Sequence, residues 1–266
     1  MYHQPHNEET MTSGSPLTIG LTRPDGANDE LAKAISSLLP DATLLNWPLL
    51  TFAPIPERQK ALSAMARITA GDWAIFVSPR AVCFAHDLHD LTALPDLHWA
   101  AVGDTTTAAI QSLFSDPPQV HRPSSTQDSE GLLASLPIEA MRGHTVWLFR
   151  GQTGRETLAD TLRQNSITVI PVPVYRRNCT RRPAHLSALP STWVITAPES
   201  LRCLRQLADT LESAEDRARL LHCNLVVINA RTEARARSLG FTGAIVRAEA
   251  PDDAALARAC VVFKQD

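Results

Sequence analysis

Short apolar runs bounded by turn residues recur along this chain, and between them apolar residues return at every third or fourth position. Leu17 to Thr22 (LTIGLT) is a β-type run, followed by a turn at Pro24-Asp25-Gly26 and a helical pattern through Leu31, Ala34, Ile35 and Leu38. The same unit returns at Thr145 to Phe149 (TVWLF), with a turn over Arg150-Gly151-Gln152-Thr153-Gly154 and a helix carrying Leu158 and Leu162. That helix leads into a strand over Ile167 to Tyr175. Arg23, Leu31, Ala32 and Ile35 match Arg150, Leu158, Ala159 and Leu162 at one offset of 127 residues, a weak internal duplication. A second pair supports it: Trp73 to Val82 (WAIFVSPRAV) and Trp193 to Leu201 (WVITAPESL) each read as a buried strand entering a Pro-initiated helix. Downstream, Ala100 to Ile110 and Leu225 to Ala236 each give a further strand, polar turn and helix.

Strands alternating with helices in this way predict an α/β fold of parallel sheets covered on both faces, and the duplication predicts two similar lobes. The Pro-punctuated segments at 44–54 and 171–178 suit edge or linking strands rather than central ones, and are expected to carry the chain between lobes. The expected organisation is a loose tail over 1–16, a discontinuous first domain (17–43 and 179–266), and an inserted second domain (55–170).

Composition narrows the function classes. At 266 residues, two α/β domains are the natural expectation, and 44% hydrophobic with 20% charged residues is ordinary globular usage. No apolar stretch is long enough to span a membrane, and the polar N-terminus does not read as a secretory signal, so a cytoplasmic protein is expected. A net charge of −3 speaks against nucleic-acid binding. Cys83, Cys179, Cys203, Cys223 and Cys260 are odd in number and scattered, without a zinc-type spacing, and are expected to be reduced thiols. His86 and His89 share a helix face but lack a third ligand, so no metal site is expected. Neither a dinucleotide fingerprint nor a phosphate-binding loop motif occurs, which argues against a nucleotide cofactor.

Five features in one order give the chain a family resemblance: Thr22-Arg23-Pro24, Phe76 to Val82 (FVSPRAV), Val102-Gly103 with Thr106, Arg150-Gly151 with Gly154-Arg155-Glu156, and Val174-Tyr175-Arg176-Arg177. Arg231-Thr232 with Leu239-Gly240-Phe241 continues the series. In this the chain resembles the uroporphyrinogen-III synthases, over nearly everything from Leu17 onward. The resemblance implies two flavodoxin-like or Rossmann-like domains joined by a two-stranded linker, with the substrate in the cleft between them. It implies cyclisation of hydroxymethylbilane to uroporphyrinogen III, with loss of water and inversion of the fourth ring, by a monomer that uses no metal and no cofactor. A transient contact with the preceding pathway enzyme is the one macromolecular partner expected.

The resemblance makes Tyr175 the catalytic candidate, a phenol that assists departure of the hydroxyl. It assigns substrate contact to Arg23, Ser78, Gly103, Thr106, Arg150, Gly151, Arg177, Thr196 and Thr232. Residue chemistry alone gives plainer roles beside these: Thr106 and Thr232 as helix caps, Tyr175 as a cover residue, and Arg23 and Arg150 as ties to a neighbouring carboxylate or carbonyl. The substrate's acetate and propionate arms need donors, which strand-to-helix turns supply. Three positions depart from the family pattern: Ala197 lacks a hydroxyl, and Asn229 and Glu233 stand where small residues are usual. They motivate the rival reading of a non-catalytic two-lobed module that binds a tetrapyrrole or another polyanion.

Overall fold

A computed structural model describes residues 17–24, 26–124, 126–154, 156–183 and 188–264. The expected tail (1–16, with Tyr2), Asp25 of the first turn and Arg155 of the fourth motif lie outside the described residues. In chain order the elements are β1 (Thr18–Leu21), α1 (Asp29–Leu38), β2 (Thr43–Asn46), β3 (Leu50–Pro54), α2 (Arg58–Met65), β4 (Trp73–Phe76) and α3 (Pro79–Leu88). After a 3-10 turn come β5 (His98–Ala101), α4 (Asp104–Gln111), β6 (Val120–His121), α5 (Ser129–Ser135), α6 (Ile138–Met141), β7 (Thr145–Gly151), α7 (Thr157–Gln164) and β8 (Thr168–Cys179). The chain closes with β9 (Thr192–Ile195), α8 (Pro198–Thr210), α9 (Ala214–Leu221), β10 (Asn224–Val227), α10 (Ala230–Ser238), β11 (Ile245–Arg247) and α11 (Asp253–Val261).

The described residues divide into two compact units, one running to Thr51 and resuming at Cys179, the other Phe52–Asn178. The first unit holds a parallel sheet in the order β11-β10-β9-β1-β2. Numbered by appearance, that order is 2-1-3-4-5, the flavodoxin-like winding. The second sheet runs β3-β8-β7-β4-β5-β6, with every pair from β8 to β6 parallel. Without β3 it has the same spatial order once β7 is matched to β1 and β4 to β9, so each unit is a circular permutation of the other in chain order. Thr18 and Thr145, which open β1 and β7, stand at the offset of 127 that relates Arg23 to Arg150.

Both sheets are buried on both faces, which is why their strands read as continuous apolar runs. In the first unit Trp193, Ile195, Leu225 and Val227 face α8, α9 and α10, while Ile19, Leu21, Val194 and Val226 face α1 and α11. In the second, Ala74, Phe76, Trp147, Phe149 and Val172 face α2, α3 and α4, and Trp73, Ile75, Val146 and Leu148 face α5, α6 and α7.

The segment expected as a linker at 44–54 is split: Leu44 to Asn46 belong to β2, paired in register with β1, and only β3 lies beside β8. Ile55 N donates to Val174 O and Thr180 N to Leu49 O, pairings that descend on one strand as they rise on the other, so β3 and β8 are antiparallel. The cysteine expectation needs correction. Cys179, at the end of β8, and Cys203, in α8, form a disulfide with Cα atoms 5.1 Å apart. Their sequence separation of 24 hides a proximity that only the return of the chain into β9 and α8 creates. Cys83 is an exposed thiol, and burial pushes the Cys223 and Cys260 thiols up to about 12.

Candidate active site

In an open parallel sheet, ligands bind beyond the carboxyl ends of the strands where the winding reverses. In the second unit that point lies between β4, which enters α3 on one face, and β7, which enters α7 on the other. A pocket of about 270 Å³ opens there, lined by Val77, Val102, Gln127, Asp128, Ser129, Leu148, Arg150, Gly151, Thr153, Gly154, Leu158, Tyr175 and Arg177.

Tyr175 reaches this pocket through a break in the ladder. β7 and β8 pair in register up to Arg150 with Pro173, and then Gly151 faces Tyr175, so β8 carries one extra residue, Val174. Such a bulge turns a side chain that regular alternation would send elsewhere. Val174 and Tyr175, adjacent in sequence, both belong to the α2, α3 and α4 face of the core. The ring is 2% exposed, edge-on to Phe52 at 5.8 Å and stacked on Phe84 at 5.6 Å. Gln152 N donates to Tyr175 O at 2.7 Å and fixes the backbone behind it. The phenol makes no hydrogen bond among the described residues and contributes to the pocket wall. Gly151 is required here by contact: a Cβ would stand 2.9 Å from Tyr175 Cε2 and 3.2 Å from its oxygen.

Arg150 is 5% exposed and donates to Glu156 Oε1 at 2.8 Å, so the tie to a carboxylate is real, and its side chain also lines the pocket. The Arg177 guanidinium lies 6.0 Å from the Tyr175 ring centre. Two cationic side chains and one phenol thus border a small cavity, a set that can hold a carboxylate and direct a hydrogen bond at a neighbouring oxygen.

Of the residues singled out from sequence, Tyr175, Arg150, Gly151 and Arg177 come together at this pocket. Ser78, Gly103 and Thr106 do not line it, although their neighbours Val77 and Val102 do. Ser78 caps α3 by accepting from Ala81 N at 3.2 Å. Gly103 opens α4 with Gln127 laid across it: Gln127 Oε1 accepts from Asp104 N at 3.3 Å and its Nε2 donates to Asp104 Oδ2 at 2.7 Å. Thr106 is buried in the first turn of α4.

Arg23, Thr196 and Thr232 belong to the other unit. Arg23 pairs with Asp253 at 2.7 Å, and Thr196 is half-buried after β9. Thr232 is not a cap: the cap of α10 is Asn229, whose Oδ1 accepts from Thr232 N at 2.9 Å and lies 3.0 Å from its hydroxyl, and Thr232 is wholly buried. Gln127, Asp128 and Thr153 escaped sequence reasoning. The signal for Asp128 was present, an Asp three residues before Gly131 and the Leu132-Leu133 run, and it caps α5 by accepting from Gly131 N at 2.8 Å.

The family model described as Uroporphyrinogen-III synthase HemD (HEM4) matches residues 29–258. The chain belongs to the uroporphyrinogen-III synthase family. The uroporphyrinogen-III synthase of Escherichia coli (strain K12) is 28% identical over 253 residues, spanning 90% of this chain and 98% of that protein. That of Proteus mirabilis is 29% identical over 164 residues, 60% of this chain and 80% of the relative. Among solved structures, a mutant uroporphyrinogen III synthase from the extremely thermophilic bacterium Thermus thermophilus superposes with a TM-score of 0.54 at 17% identity, covering 93% of this chain and 97% of that one. The Helicobacter pylori 26695 synthetase gives 0.53 at 13%, covering 94% and 100%. These two likenesses concern the fold.

Within the family pattern, the departures at Ala197 and Asn229 have local accounts. Ala197 opens α8 without a side-chain cap, so the hydroxyl missing from the sequence is missing from the helix end. Asn229 supplies the side-chain cap that a glycine could not. No helix among the described residues is long and apolar enough to cross a membrane.

Proposed function

We propose that the protein catalyses the closure of hydroxymethylbilane to uroporphyrinogen III, a cyclising lyase reaction, as a cytoplasmic monomer that needs no cofactor. The observation that carries this reading is the bulge-aimed phenol of Tyr175 beside Arg150 and Arg177, in a chain of this family. One acidic arm of the terminal pyrrole is held by the two arginines, while backbone donors around Thr153 and Gly154 take further carboxylate oxygens. Tyr175 donates to the departing hydroxyl, which leaves as water once protonated. The electron-poor carbon left behind is then attacked by the fourth ring, and the connection inverts through a spiro intermediate. A phenol O–H donates one hydrogen bond, which suffices for so ready a leaving group. Control of geometry supplies the rest.

The deciding experiment feeds hydroxymethylbilane to the purified protein and identifies the product isomer. Spontaneous closure gives the uninverted ring, so accumulation of the inverted isomer establishes the activity. Binding without any excess of that isomer over the spontaneous background would instead favour the non-catalytic module.

A further inference from the structure

The second unit carries another pocket, about 640 Å³, which shares no lining residue with the candidate active site and lies under α2. Its volume falls in the range of small-molecule sites, about 300–1,000 Å³. The trough exists because β8 outruns β3. The β3 ladder ends where Ile55 N meets Val174 O, leaving the outer edge of β8 from Thr168 to Pro173 beside α2 alone. Pro171 and Pro173 remove two N–H groups from that stretch, so it is a poor template for an added strand. A peptide is therefore a poor occupant, and a compact ring is a good one.

The floor is apolar, and two cations rise from one side. Lys60, within α2, and Arg67, in the turn that follows it, both line the trough. Neither meets a carboxylate among the described residues, and the Arg67 guanidinium rests 5.8 Å over the Trp147 ring. Glu57, one turn before Lys60, closes the end of the trough with negative charge and disfavours a third carboxylate there.

We propose that this trough is a second ligand site, distinct from the one that binds substrate, for a flat, largely apolar ring compound bearing two carboxylates on its edge.

The test is an absorbance titration of the full chain with deuteroporphyrin IX, a porphyrin with two propionates. Saturable one-to-one binding is expected. It should weaken about tenfold for each cation removed, and more in the Lys60→Glu/Arg67→Glu double variant, because charge-assisted contacts are lost and replaced by repulsion. Ala64→Trp, which fills the trough without changing charge, should abolish it, and Tyr175→Phe should leave it unchanged. Absence of binding up to millimolar porphyrin overturns the proposal, as does binding that survives both trough variants or disappears with Tyr175→Phe. None of these readouts requires turnover, so a failure here is separable from a failure of the proposed synthase activity.

Discussion

The two units brace the same joint with different chemistry. In the second, the carboxylate of Asp72, just before β4, accepts from Thr145 N at 2.9 Å, Trp147 Nε1 at 2.9 Å, Thr69 N at 3.0 Å and the Thr69 hydroxyl at 3.1 Å, clamping the starts of β4 and β7. In the first, Ser191 stands just before β9 and meets Thr18 at the start of β1, its hydroxyl accepting from Thr18 N at 3.2 Å. The Asp72 joint is buried and charged, whereas the Ser191 joint is exposed and neutral. Helix starts are exchanged in the same way. α3 is capped by Ser78 and its counterpart α8 starts bare at Ala197, while Gly103 leaves the start of α4 to the distant Gln127 and its counterpart α10 is capped by Asn229. A duplicated frame fixes where strands and turns must be, and leaves open which atom satisfies each joint. The units have used that freedom so that the second concentrates the buried charge of Asp72 and Arg150.

The comparison breaks first at the phenol, for β2, the counterpart of β8, ends at Asn46 and carries no tyrosine. Tyr175→Phe is expected to lower turnover by up to about a hundredfold, roughly 3 kcal/mol, with the melting temperature nearly unchanged. A parental rate with the same product isomer would make Tyr175 a cover residue. Gly151→Ala should lose turnover through the same ring, because the new methyl occupies its space, at a stability cost of about 1–3 kcal/mol.

Next comes the charged joint. Burial alone would raise the Asp72 carboxyl, but the hydrogen bonds from Trp147, Thr145 and Thr69 outweigh it and hold it below the usual carboxylate range. A folded value below the unfolded one contributes stability above about pH 4 that is lost as pH falls through the folded value. Asp72→Asn should therefore cost about 2–3 kcal/mol at neutral pH and flatten the acid limb of the stability curve. Hydrogen exchange at the Thr145 amide and the Trp147 indole N–H reads this in the second unit alone. Ser191→Ala should cost no more than about 1 kcal/mol and leave the acid limb as it was. The smallest effects lie at the helix starts, where Asn229→Ala should lose about 1 kcal/mol and Ala197→Ser gain up to about that much, measured by denaturant midpoint.

Much of this frame was legible because it rests on local signals: apolar runs for β4, β7, β9 and β10, Pro at the first turn of α3 and α8, and the spacing of Arg23 and Arg150. The bulge was not, since a one-residue shift between β7 and β8 leaves no mark in either strand read singly. Gln127 escaped because its contact with Gly103 depends on a loop returning across 24 residues, and an amide carries no distinctive sequence signature. Thr232 misled for the opposite reason: Asn229, three residues earlier, competed for the cap and took it. The β2 segment read as a linker because Pro48 follows it, though Pro48 lies just past the last paired residue, Asn46.

The permuted order of the units also sets a schedule for the nascent chain. β1 is synthesised first, yet its neighbour β9 arrives only after residues 22–191 have been made. At ribosomal speeds of about 5–20 residues per second, β1 and β2 wait roughly ten to thirty seconds for the centre of their sheet. Every parallel strand of the other sheet lies between Trp73 and Cys179, so it can close during that interval. The earliest residues off the ribosome are among the last to find their place, and a chain that stalls before Thr192 leaves a finished unit trailing two apolar strands with no sheet to join.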